Sequence, residues 1–119
     1  MTEKLRPPGK TTIAPDVMVS IAKLTVLGVP GVSRLVPGTG ANLIFKRGSH
    51  EGVEISVENN TVFADIHVVL RRDVNVRDVS RAIQYQVARA ISEMVGMDIG
   101  KVNVHIEDID YSRESETAS

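Results

Sequence analysis

The sequence predicts a two-layer α/β sandwich, of the α+β kind, with two helices on one face of a mixed sheet of three to four strands. Three observations carry this. Val76, Val79, Ile83, Val87, Ala90 and Met94 recur at steps of three and four, the period of one helical stripe. Val53–Val57 and Thr61–Leu70 alternate apolar and polar residues around Asn59-Asn60, the pattern of a hairpin with one buried face. A further alternating stretch, Lys101–Asp108, follows the helical stripe, so the last three elements read strand–helix–strand, a right-handed crossover between parallel strands.

The elements follow in order. Residues 1–12 hold two prolines, two lysines and an arginine and read as a flexible N-terminal arm. Residues 13–109 form one domain, and 110–119 a polar, disordered tail. Pro15 opens the first helix and Asp16 sits at its positive end. The helix runs to Leu27 and stops at Gly28. Val17, Ile21, Leu24 and Thr25 form its expected core stripe. Met18, Val19, Ala22 and Val26 widen the apolar arc, which leaves two readings open: burial under loops, or a contact with another subunit. Val32–Val36 is a short strand. Residues 37–52 read as a surface loop carrying Lys46-Arg47, with Leu43–Phe45 dipping toward the core. In the return strand Val62, Ala64, Ile66, Val68 and Leu70 face in, while Phe63, Asp65, His67 and Val69 face out. The long helix spans Val76–Val95, capped by Asn75 and closed by Gly96. In the last strand Val102, Val104 and Ile106 face in, and Asn103, His105 and Glu107 face out.

Composition narrows the function. The chain has 119 residues, 42% of them hydrophobic and 3% aromatic, so one aliphatic core is expected. A net charge of −1 gives no general attraction to nucleic acid or anionic lipid. Cysteine is absent, which excludes disulfides, thiolate metal sites and a cysteine nucleophile. No signal peptide or membrane-length apolar run is present. A soluble cytoplasmic protein is expected, with no direct membrane insertion.

No reactive constellation stands out. His67 and His105 share an outward face with Asp65, Asn103 and Glu107, donors suited to a divalent metal, but a solvated sheet face is the plainer reading. Ser49-His50-Glu51 are triad residue types in a row, and adjacent residues cannot adopt triad geometry. Gly38-Thr39-Gly40 lacks the lysine and strand–turn–helix setting of a phosphate loop. Gly28-Val29-Pro30-Gly31 spells the G-x-x-G of KH RNA-binding domains, yet its middle residues are not basic, so a helix-stopping turn is the simpler account. No catalytic, metal or cofactor residue is assigned, and no small-molecule substrate is expected. The outer face of the long helix carries Arg77, Arg81, Gln84, Tyr85, Ala88, Arg89 and Ser92. Arg and Tyr dominate protein-contact hot spots, so the candidate contact residues are Met18, Val19, Val26, Arg77, Arg81, Tyr85 and Arg89.

Two segments, "TTIAPDVMVSIAKLTVLGVPGVSRL" and "GVEISVENNTVFADIHVVLRRDVNVRDVSRAIQYQVARAISEMVGMDIGKVNVHIEDI", together resemble the alkaline shock protein family of bacterial envelope-stress proteins. The resemblance implies a cytoplasmic, non-enzymatic protein tied to alkaline and cell-wall stress. Some members self-assemble and lie along the membrane through a separate anchoring partner. Relatives are connected to control of fatty-acid synthesis at the acetyl-CoA carboxylase step. The family brings no catalytic residues to transfer. The reading is a non-catalytic protein of cell-envelope homeostasis acting by self-association. The alternative is a KH-like RNA-binding regulator, disfavoured by the lack of stacking aromatics.

Overall fold

The structure is a computed structural model and describes residues 8–38 and 52–112. Most of the expected arm, loop 37–52 and the tail lie outside the described residues. So do Leu43–Phe45, Lys46-Arg47, Ser49-His50-Glu51, and Thr39 and Gly40. The described elements are α1 (Pro15–Leu27), β1 (Val32–Leu35), β2 (Val53–Glu58), β3 (Thr61–Arg71), α2 (Val76–Ala90) and β4 (Asp98–Asp110). A π-helical turn, Ile91–Val95, extends α2.

The sheet is built on β3. Its inward residues Val62, Ala64, Ile66, Val68 and Leu70 are fully buried, as expected of a central strand covered by helices. β4 runs parallel to it along its whole length, from Thr61↔Asp98 to Arg71↔Asp110. A strand has two hydrogen-bonding edges, so β1 and β2 share the other one. β2 pairs antiparallel with the first half of β3 (Val53↔Ile66 to Glu58↔Thr61) and β1 with the end (Val32↔Leu70, Leu35↔Val68). The β2–β3 hairpin closes through Asn59 and Asn60 at φ 52° and 64°, left-handed values that asparagine tolerates and a two-residue turn requires.

Both helices cover one face. Val79, Ile83, Val87 and Ile91 of the second helix meet Met18, Val19, Ala22 and Val26 of the first and the inward sheet residues in one core. Each valine, isoleucine or methionine among them contributes about 1.5–3 kcal/mol by leaving water. The Asn75 side chain accepts the Asp78 amide at 3.0 Å, capping α2. Gly96 adopts φ 80° and accepts the chain reversal that ends it.

Several expectations need correcting. On α1 the buried set is Met18, Val19, Ala22 and Val26, while Val17 and Leu24 are exposed, at 47% and 74%. The helix is apolar almost all round, so periodicity did not fix its phase. On α2 the stripe holds at Val79, Ile83 and Val87 and fails at its ends. Val76 and Met94 are exposed, and Ile91 is buried. The π-helical turn takes an extra residue into the last turn, which rotates Met94 outward and brings Val95 to the half-buried side. Val69, expected outward, is buried on the far face of the sheet, and Val57, expected inward, is exposed at the end of β2. β4 begins and ends beyond Lys101–Asp108, and its inward residues are only half-buried because it is an edge strand.

Candidate functional site: the flank of α2 and β4

Three places gather polar side chains. On the sheet face away from the helices, the β3–β4 register places His67 opposite His105. Their rings stack at 4.6 Å between centroids and 14° between planes. His67 Nδ1 lies 2.7 Å from Glu107 Oε2, and His105 Nε2 lies 2.9 Å from Asp65 Oδ1. Asn103 donates to the same Asp65 oxygen at 3.2 Å. Each imidazole therefore has its own carboxylate, and the carboxylates stand at opposite ends of the stack. Among the described residues no three His, Cys, Asp or Glu side chains are placed to hold a metal ion. The arrangement ties the edge strand to the central one. Individual stacking was not legible in the sequence, because it depends on strand pairing, although the shared face was.

At the end of β4 a second polar cluster fixes the strand. Asp110 accepts the Ser33 hydroxyl at 2.7 Å and the Ser112 amide at 2.9 Å, with Arg34 at 3.5 Å. These donors, Ser33 first, hold its carboxyl down at about 2. No pattern in the sequence pointed to this cluster.

The third place is the flank where α2 overhangs β4. Arg77, Arg81, Tyr85 and Arg89 follow one another at steps of four and are all exposed, so they form a row along the helix. Arg77 and Arg81 line an open groove of about 710 Å³ with Ser80, Gln84 and Ile106. Tyr85 and Arg89 line a second one of about 550 Å³ with Ala88, Ser92, Glu93 and Ile99. Between the two, Gln84 Nε2 donates to the Val102 carbonyl at 3.1 Å. Arg89 is held by Glu93 at 3.0 Å, whereas Arg77 and Arg81 have no partner among the described residues. The structure thus brings together the four α2 candidates. It separates them from Met18, Val19 and Val26, which are 3%, 2% and 0% exposed and sit in the core. What α1 presents to solvent instead is Val17, Leu24 and Leu27.

The G-x-x-G turn has a structural use. Val29 is buried, and Gly31, at φ 100°, passes so close to α2 that a Cβ there would lie 2.8 Å from Val79 Cγ2. Val29 and Gly31 are thus taken up by packing, and of the two middle residues only Pro30 is exposed.

A small mixed α/β sandwich whose groomed features are surfaces and strand ties, with no convergent ionisable cleft among the described residues, is the class of protein that this geometry defines. The chain belongs to the alkaline shock protein 23 family, of cell envelope-related function, whose model matches residues 3–111. It is 34% identical over 102 residues to the uncharacterized protein Spy1535 of Streptococcus pyogenes serotype M6, covering 85% of this chain and 79% of that one. It is 23% identical over 111 residues to the uncharacterized protein YqhY of Bacillus subtilis, covering 91% and 82%. Among solved structures it is similar to two variants of the MamM CTD, at TM-scores of 0.50 and 0.51 and 15% identity. These cover 78% and 80% of this chain and 95% of each of theirs, and they support the fold. No described helix is long and apolar enough to cross a membrane.

Proposed function

We propose that the protein is a non-catalytic component of cell-envelope homeostasis that works by self-association and protein contacts, reaching the membrane through an anchoring partner. The observation that carries this is the exposed row Arg77–Arg81–Tyr85–Arg89 over a groove beside an edge strand. An unpaired arginine early in a helix opposes the helix dipole, by about 0.3–1 kcal/mol. Arg77, in the first turn of α2, is better explained by a surface that meets another molecule than by stability of the lone chain. Family membership supports the cell-envelope setting. Val17, Leu24 and Leu27 give α1 an exposed apolar flank on which an anchoring partner can dock.

Light scattering on the purified chain tests the reading. The expected result is a mass that rises above the 12.9 kDa monomer with concentration. A monomer mass throughout, with no envelope protein retained by the immobilised chain, overturns it. RNA binding is not favoured: the sole G-x-x-G turn among the described residues is packed against α2.

A further inference from the structure

We infer that the outer edge of β4 is the self-association surface, and that two copies join it antiparallel about a two-fold axis at Val104. The inference rests on the self-association reading above and assigns its surface.

Among the described residues β4 pairs only with β3, so one edge of this 13-residue strand is unpaired. Such an edge is a template for another strand unless it is blunted. Here it is blunted only at the ends. Register shifts lie between the partners of Val62 and Phe63 and between those of Val68 and Val69, leaving Gly100 and Glu107 as the extra residues. Between them Lys101–Ile106 is regular.

That stretch is chemically symmetric about Val104. Antiparallel pairing there sets Val102 opposite Ile106 on the helix-covered face, and Lys101 opposite Glu107 on the other. Two residues further out, Ile99 meets Ile109. A one-residue slip would put Lys101 opposite Ile106, mixing the faces, so the register is specified. Lys101 has no ion-pair partner among the described residues. Glu107 uses Oε2 for His67, which leaves Oε1 to receive it. Val102, Val104 and Ile106 are half-buried in the lone chain, and a partner strand would cover them. Gln84 already donates to the Val102 carbonyl, but a carbonyl accepts two hydrogen bonds.

The helices agree with this placement. The Arg77–Arg81 end of α2 lies over Ile106 and the Tyr85–Glu93 end over Ile99. The two-fold therefore turns Arg77 and Arg81 of one copy toward Tyr85 and the Arg89–Glu93 pair of the other, where Tyr85 offers the cations an aromatic face. Ser80, Ala88 and Ser92 are small enough for the helices to approach.

The chain has no native cysteine, so single-cysteine cross-linking is unambiguous. Residues at the centre of such a pair have Cα atoms about 5.5 Å apart, within disulfide reach. Val104→Cys should form covalent dimers under mild oxidation at least tenfold faster than Ser56→Cys on β2. Lys101→Glu sets acid against acid twice per dimer and should weaken association roughly tenfold. Glu107→Lys should do the same alone, and an equimolar mixture of Lys101→Glu with Glu107→Lys should restore it. If Glu107→Lys fails to fold, Val104→Cys and Lys101→Glu decide. Wild-type self-association with Val104→Cys no faster than the control and Lys101→Glu unchanged in mass overturns this interface and leaves self-association standing. A wild type that is monomeric throughout overturns both.

Discussion

Asp110 shows how much a single side chain can hold at the end of a strand. Its carboxylate is stabilised first by the Ser33 hydroxyl, then by Ser112, and by the charge of Arg34, so it titrates at about 2. A folded-state value below the unfolded one means the group stabilises the fold above the ordinary carboxylate range. That contribution is lost as pH falls from roughly 4 toward about 2. Carboxyl NMR titration should place its midpoint at about 2, and Ser33→Ala should raise it; an ordinary wild-type midpoint near ~4 contradicts the cluster. In the core, Ile83 is fully buried, so Ile83→Ala should cost ~2–5 kcal/mol in denaturant unfolding. Arg81→Ala should stay within about 0.5 kcal/mol. The reverse ranking would mean that α2 presents its other face to the sheet.

Turns and caps decide whether each element starts and stops where it should. Asn60 at φ 64° can become Gly without loss of the turn, whereas Asn60→Val should destabilise the hairpin by about 1–2 kcal/mol. Thermal melts of the two variants separate the outcomes, and equal melting temperatures would refute the left-handed turn. Element by element, legibility tracked amphipathicity. α2 has a polar side, so its central stripe was readable from spacing alone; its C-terminal end was not, because the π-helical turn breaks the period that the reading assumes. α1 has apolar side chains on almost every side, so burial of Met18, Val19 and Val26 rather than Val17 and Leu24 depended on where the sheet lies. β3 was legible residue by residue except at Val69, whose burial comes from cover over the far face. The His67–His105 stack was half legible: parity put both rings on one face, but only the β3–β4 register brings them into contact. The Ser33–Asp110 bond joins residues from the two ends of the domain and left no local trace.

At the scale of the molecule, the two-layer design leaves three kinds of surface: a helix flank, a strand edge and a sheet face that is covered in part, at Val69 and His67. The order of elements predicted the layers and the parallel β3–β4 pair. It could not show that β1 and β2 share one edge of β3, which is what leaves β4 alone on the other. The sharing follows from lengths: β3 has 11 residues, enough to accommodate the six of β2 and the four of β1 end to end. The proposed self-association surface follows from that asymmetry, which leaves a long edge strand unpaired among the described residues beneath an arginine-bearing helix. Sedimentation velocity from micromolar to millimolar concentration tests this most directly. The account predicts a weight-average sedimentation coefficient that climbs with concentration and climbs less for Lys101→Glu; a single monomer value at every concentration would contradict it.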